Sequence, residues 1–153
     1  MIDTFLFIRR DQVLSPAALS AAISALGYDL KIPADFDPAP DEPVFLKCYF
    51  EGLDSGFELS ASPFQEPDWG FEEEDMAKIR GSDLVLQFTT YSNAQEVAGA
   101  VVAVGAYAAA TSSVIGDEFF EERLIDPGES AGWVADRLPN AREQFNGPSK
   151  LRD

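Results

Sequence analysis

The apolar positions in residues 83–110 change from the pattern of a strand to that of a helix, and they predict the centre of the fold. Residues 84–89 read LVLQFT, a short apolar run typical of a buried strand. Residues 98–110 are all Ala, Val, Gly or Tyr, and a helix that is apolar on every side is normally buried on every side. We place its N-cap at Ser92, with Gln95 completing a capping box. The stretch is too short and too rich in Ala and Gly to predict a membrane span.

Two further helices are predicted by their end signals. Residues 15–27 carry an apolar face at helical spacing, with Ser15 as the N-cap and Gly27 at the position of a left-handed C-cap. A last helix should begin at Asp126 and end at Pro139, because proline cannot continue the hydrogen bonding of a helix.

Four further segments have the composition of strands. Residues 5–8 form a continuous apolar run, which predicts a central strand. Residues 44–51 and 57–61 alternate between apolar and polar positions, and residues 52–56 supply turn residues between them, which predicts a β-hairpin. Residues 113–115 predict a last short strand. This order predicts an α+β fold with a mainly antiparallel sheet, a central hairpin and helices packed on one face, and it is compatible with ferredoxin-like elements.

The chain length predicts one domain with a real core. We assign residues 1–139 to a single domain and residues 140–153 to a polar tail that should be frayed. Two irregular acidic stretches, residues 33–43 and 63–75, interrupt the regular elements and should lie at the surface. Phe36, in the first stretch, either pins the loop to the body of the protein or projects as a contact.

Charge is the most unusual property of the composition. Lys and Arg total 11 and Asp and Glu total 27, which gives a formal net charge of -16. Such a charge repels the phosphates of nucleic acid and argues against direct binding to it. It favours a basic protein partner, or solubility through self-repulsion. Because 46% of the residues are hydrophobic, the chain is not a disordered acidic tail.

Several kinds of chemistry are excluded by the residues that the chain lacks. It has no histidine and only one cysteine, Cys48, so Ser-His and Cys-His catalysis, zinc sites and internal disulfides are all excluded. No Gly-rich phosphate loop is present, and we expect no cofactor. The spacing after Asp35 and Asp37 does not continue as a calcium loop. The N-terminus has no basic region ahead of its apolar run, so we expect a cytoplasmic protein with no membrane association.

Acids interleaved with large aromatics make up the most promising candidate surface. Aromatic side chains can anchor in a partner while carboxylates steer and orient a basic one. The opposite interpretation is that the aromatic side chains point inward and the acids only form a hydrated surface. With Trp69 as the anchor, the partner-binding candidates are Asp68, Trp69, Glu72, Glu73, Glu74 and Asp75, with a second cluster of Asp117, Glu118, Glu121 and Glu122.

The chain resembles the immunity proteins of bacterial polymorphic toxin systems, such as contact-dependent inhibition and type VI secretion. The resemblance lies in the small, acidic α+β outline without catalytic motifs. It extends from Asp83, through the Ala-rich helix, to the Ile125–Ser130 segment (IDPGES) and Trp133. Because such proteins share no invariant residues, the resemblance implies a role and no site. That role is the reversible masking of a cognate toxin, and many such toxins are nucleases with basic faces.

We therefore expect a non-enzymatic protein that occludes a basic toxin domain. Three alternatives remain open from the sequence: a DNA-mimicking inhibitor of a nucleic-acid enzyme, a carboxylate-based or divalent-metal enzyme, and an assembly subunit that uses its aromatics to form a homo-oligomer.

Overall fold

One antiparallel sheet runs through the part of the chain that the structure describes. The structure is a computed structural model, and it describes residues 1–91, 93–117 and 123–144, without the side chains of residues 142 and 144. The strands in these residues are β1 (Ile2–Ile8), β2 (Leu30–Lys31), β3 (Val44–Phe50), β4 (Leu53–Pro63), β5 (Leu84–Thr90), β6 (Val114–Asp117) and β7 (Arg123–Ile125). Their order in space is β2-β3-β4-β5-β1-β6-β7, and every neighbouring pair is antiparallel. The predicted α+β class, the central position of β1 and the β3–β4 hairpin are confirmed.

The helices of the described residues lie on both faces of the sheet. They are α1 (Pro16–Leu26), α2 (Glu73–Ile79), α3 (Ala94–Thr111) and α4 (Ser130–Gln144). The three longer helices form the main core against one face of the sheet, which we call the first face. Helix α2 packs on the opposite, second face, where Met76 and Ile79 meet Phe7 and Val85. The three predicted helices therefore pack on one face, as expected. Helix α2, which was not among the predicted helices, covers an apolar strip on the other face.

The four central strands, β4-β5-β1-β6, have the order of a ferredoxin-like arrangement. Helix α3 joins β5 to β6, and β1 lies between these two strands. The chain leaves β1 through α1 and returns as β4, with β5 lying between β1 and β4. Strands β2 and β3 extend this unit at one edge and β7 extends it at the other. The ferredoxin-like elements considered from the sequence are thus present, within a larger sheet.

Helix α3 is the buried centre that its composition predicts. All but three of its 18 residues are buried. Small residues allow this close packing, because a β-carbon at Gly99 would collide with Ser55 and one at Gly105 would collide with Val134. The predicted N-cap was wrong by one residue. Asn93 caps the helix by accepting a hydrogen bond from the backbone N–H of Glu96, at 2.9 Å.

The hairpin turn between β3 and β4 is tighter than predicted. Only Glu51 and Gly52 lie between the strands, and both have positive φ, 53° and 79°. Positive φ at both central residues is the geometry of the two-residue turns that match strand twist. Residues 53–56, which were predicted to belong to the turn, are therefore part of β4. Gln95 of α3 fastens this end of the hairpin by donating to the carbonyl of Phe50 at 2.6 Å.

The sequence signals are confirmed at both ends of α1 and at the start of the last helix, where Asp126 and Glu129 form a capping box on the 3-10 turn that leads into α4. Ser15 caps α1 by accepting from Ala18, and Gly27 adopts the left-handed conformation at its end, as predicted. The predicted end of the last helix at Pro139 was wrong, since α4 continues through this residue to Gln144. Burial of Ala141 in the main core holds the final turn despite the hydrogen bond that proline removes.

The acidic stretch of residues 33–43 has no helix or strand. Phe36 is half-buried against the main core, so the interpretation in which it pins the loop is the one that holds. The carbonyl of Pro40 accepts from the backbone N–H of Ala61 at 2.8 Å and holds the loop against β4.

Candidate functional site

The segment from residue 64 to residue 80 forms a cover over part of the second face of the sheet. It leaves β4, makes a 3-10 turn over Glu66–Asp68, and enters α2 with Glu72 at the N-cap position. Glu73, Glu74 and Asp75 occupy the first turn of α2, where negative charge interacts favourably with the helix dipole. The acidic run therefore has a structural role at the start of a short helix.

The aromatic residues of this segment point toward the sheet. The Trp69 ring lies edge-on to Phe5 and Phe7, with centroids 5.0 Å and 4.8 Å apart, and it stacks on Phe71 at 6.1 Å. Phe64 packs on Phe7 in the same cluster. The structure therefore agrees with the alternative in which these aromatic side chains point into the protein. Trp69 is half-buried and its ring contacts other aromatic rings of the same chain, so its predicted position as a projecting anchor was wrong.

The acids of the segment divide into paired and unpaired groups. Arg80 bridges Glu66, at 2.8 Å, and Glu73. Its hydrogen bonds to Glu73 lower the pKa of that carboxyl, and the two acids together raise the pKa of Arg80. Lys78 lies 3.2 Å from Asp126 and 3.7 Å from Asp75, and the hydrogen bond that it donates to Asp126 is the main cause that raises the pKa of the lysine.

Three of the predicted acids remain available to a partner. Asp68, Glu72 and Glu74 are exposed, and none of them makes an ion pair within residues 1–91, 93–117 and 123–144. They stand on one segment that the Arg80 bridge and the aromatic cluster hold in place. We call these three residues the acidic ridge.

Asp117, from the second predicted cluster, is not a surface residue. It is 1% exposed, it accepts a hydrogen bond from Nε1 of Trp133 at 2.7 Å, and it lies 3.5 Å from Nε of Arg137. Its surface position was wrongly predicted, because its two partners come from α4 and their approach cannot be read from local sequence. It joins the end of β6 to α4. Glu118, Glu121 and Glu122 lie outside the described residues.

The residues that the structure describes contain no candidate metal site. No three His, Cys, Asp or Glu side chains come together there as a possible metal site. A cavity of about 250 Å³ lies where β1, the end of α2 and the α3–β6 turn meet, and Arg9, Lys78 and Ser113 are among its lining residues. Its lining includes no carboxylate, so it cannot house the acid pair that a carboxylate-based hydrolase needs.

Comparison with protein-family models, with curated proteins and with solved structures finds no match to this chain. Within the described part of the chain, no helix combines the length and the apolar character needed to cross a bilayer.

Proposed function

We propose that this protein is a non-enzymatic inhibitor that binds and occludes a basic protein partner, most simply a cognate bacterial toxin domain. The observation that carries the proposal is the acidic ridge. Asp68, Glu72 and Glu74 are three exposed carboxylates on one segment, and none of them makes an ion pair with a described residue. Lys78 acts on Glu74 only as a longer-range charge. With the net charge of -16, they would attract a basic surface and orient it.

The partner's contact with the ridge is electrostatic in this proposal. Trp69 and Phe71 support the ridge from below, because they are packed on Phe5 and Phe7. We propose that the protein acts in the reducing cytoplasm, an assignment that the free, buried thiol of Cys48 supports.

The first experiment is affinity capture from a lysate of the source organism, at low and at high salt. The test variant is Asp68→Asn/Glu72→Gln/Glu74→Gln, which removes three charges at constant side-chain size and leaves the Arg80 bridge to Glu66 and Glu73 intact. The matched control is Asp35→Asn/Asp41→Asn/Glu42→Gln, which removes three exposed charges from the loop of residues 33–43.

A basic protein that the wild type and the loop control capture at low salt, and that the ridge variant loses, is the expected result. Equal capture by all three proteins would contradict the proposal. Capture of a nucleic-acid enzyme in place of a toxin would favour the DNA-mimic alternative. That alternative has a different partner but the same electrostatic attraction between an acidic and a basic surface.

A further inference from the structure

The second face of the sheet has a covered half and an open half. The segment of residues 64–80 covers the part where Phe7 of β1 and Val85 of β5 lie. No residue of β3 or β4 belongs to the hydrophobic cluster on this face, and the three longer helices pack on the first face. The second face of β3 and β4, with the neighbouring ends of β5 and β1, is therefore not covered by any helix of the described residues.

Exposed hydrophobic side chains are concentrated on this open half. Five large ones are exposed in the part of the chain that the structure describes, and three of them belong to it. Met1 is 75% exposed, Tyr49 is 45% exposed and Tyr91 is 40% exposed. Such side chains need no explanation when they are scattered singly, whereas a contiguous patch of them marks an interaction surface.

Strand alternation places these three side chains on the second face. Ile2 belongs to the main core on the first face and is opposite Thr90 in the register of β1 and β5. Met1 and Tyr91 are the adjacent residues of the two chain segments, so they face the other way. Tyr49 also faces the other way, because both of its neighbours in β3 belong to the main core.

A glycine allows these positions to form one surface. Glu58 pairs with Thr89, so two positions further along the same two strands Gly56 lies beside Tyr91. The Phe45 ring occupies the space above Gly56 that a β-carbon would fill, which brings this ring toward β5. From β3 to β1 the surface crosses three strand spacings of about 4.8 Å, or about 14 Å in all. We call it the apolar patch, and its residues are Met1, Phe45, Tyr49 and Tyr91.

The cation next to this patch is neutralised within the chain. The Lys47 ammonium lies 3.1 Å from a carboxylate oxygen of Asp54 and 5.6 Å from the centre of the Tyr49 ring. Its charge is therefore balanced on the same face, and it does not oppose the approach of a basic surface.

The apolar patch and the acidic ridge lie on the same side of the protein. Asp68 of the ridge precedes Trp69, whose ring centre is 5.0 Å from that of Phe5 on β1. Phe5 and Met1 are four residues apart on the second face, which corresponds to about 13 Å along an extended strand. One partner surface can therefore cover the ridge and the patch together. An apolar, aromatic centre with charged residues at its border is the usual composition of a protein–protein interface.

We infer that the apolar patch is the hydrophobic contact surface for the basic partner, which places apolar or aromatic side chains on it while its cations meet the acidic ridge. The inference rests on the proposed function for the class of partner and adds the chemistry of the partner's own surface. Charge complementarity selects this occupant. A second copy of the chain carries the same charge of -16 and would be repelled, as nucleic acid would be.

The test uses two synthetic hexapeptides of equal charge as probes. One alternates arginine with tryptophan and the other alternates arginine with glycine, and their binding is followed by ¹H–¹⁵N NMR of the full chain at low salt. The test variant is Tyr49→Ala/Tyr91→Ala. The control is Leu53→Ala, which truncates a side chain that is 52% exposed and faces the first face, opposite Phe50. The spectra also show whether each variant keeps its fold.

We expect the tryptophan peptide to bind the wild type about tenfold more tightly than the glycine peptide, because aromatic contacts contribute most of the affinity at such a surface. Its largest shift changes should fall at Phe45, Tyr49 and Tyr91. The Tyr49→Ala/Tyr91→Ala variant should lose the difference between the peptides, and Leu53→Ala should keep it. Equal binding of the two peptides by the wild type, or a tenfold difference that persists in the test variant, would overturn the inference. Failure of both peptides to bind would also overturn it.

Light scattering of the same proteins tests the other occupant. A wild-type dimer that dissociates in the Tyr49→Ala/Tyr91→Ala variant would assign the patch to a second copy of the chain and overturn the inference. Each of these results leaves the proposed function standing. That function fails separately, if loss of the ridge charges leaves capture of the partner unchanged.

Discussion

Replacement of Gly105 by alanine should destabilise the protein, although alanine is the better helix former. In the middle of an exposed helix this substitution would stabilise by about 1 kcal/mol. In α3, however, the new β-carbon would overlap Cγ2 of Val134, which is fully buried on α4. Val134 cannot easily turn away, because a β-branched side chain in a helix has one strongly preferred rotamer.

The magnitude follows from these two opposing effects. Inserting one carbon into a packed core costs about 1–3 kcal/mol, and the carbonyl oxygen of Ser130, 3.6 Å from the same position, limits movement of α4. Because Val134 does not easily turn away, we place the cost in the upper part of this range, at about 2–3 kcal/mol. Subtraction of the helix-propensity gain of about 1 kcal/mol then leaves a net loss of about 1–2 kcal/mol in the free energy of unfolding. For a chain of this size that loss lowers Tm by about 2–8 °C.

Urea denaturation followed by tryptophan fluorescence measures this loss. The matched control is Gly132→Ala, another glycine-to-alanine change in a helix, where the added carbon meets no atom within 4 Å. We expect this control to raise stability by up to about 1 kcal/mol. The two identical substitutions should therefore have opposite signs.

A second replacement tests the cause. Val134→Ala removes the methyl group with which the new carbon collides, so it should cost less in the Gly105→Ala background than in the wild type, with a coupling of about 1 kcal/mol or more. A Gly105→Ala protein that is as stable as the wild type, or additive costs in the double variant, would refute close α3–α4 packing as the reason for glycine at this position.

Three further predictions concern buried groups. Asp117→Ala should lower the free energy of unfolding by about 3–5 kcal/mol, because it removes a buried carboxylate that lies 3.5 Å from Nε of Arg137 and accepts a hydrogen bond from Trp133. A second change, Arg137→Met, should recover part of that loss in urea denaturation. Burial raises the pKa of Tyr107 to about 12, so a step near pH 12 in the absorbance at 295 nm should be present in the wild type and absent from Tyr107→Phe. A tyrosine in the unfolded chain ionises near pH 10, so the stability that the neutral Tyr107 contributes is complete below pH 10 and is lost between about pH 10 and 12. Over that range the Tm of Tyr107→Phe should therefore depend less steeply on pH than the Tm of the wild type. Burial also raises the pKa of Cys48 to about 12, so a thiol reagent at pH 8 should modify it only as fast as the chain unfolds, and rapid modification of the native protein would contradict the structure.

The sequence predicted correctly those features that depend on residues close together in the chain. The capping of α1 by Ser15 and Gly27 was predicted because both act within one turn of the helix. The position of β1 in the sheet and the burial of α3 were predicted because a continuous apolar run is stable only where it is buried. The two-residue turn was missed because Glu51, a residue that seldom adopts positive φ, occupies one of its central positions.

Long-range packing decided the features that the sequence could not predict. Pro139 lies inside α4 because tertiary contacts of Ala141 outweigh the local cost of proline. Asp117 reads as the start of an acidic surface run, but its partners, Trp133 and Arg137, are 16 and 20 residues away on α4.

The central claim is that the acidic ridge attracts and orients a basic protein partner. The most direct measurement is the Kd of the captured, purified partner at a series of salt concentrations, for the wild type, the Asp68→Asn/Glu72→Gln/Glu74→Gln variant and the loop control. The account predicts that the wild type and the loop control weaken steeply with salt, whereas the ridge variant binds more weakly at low salt and loses most of that salt dependence. The same Kd and the same salt dependence for all three proteins would contradict it.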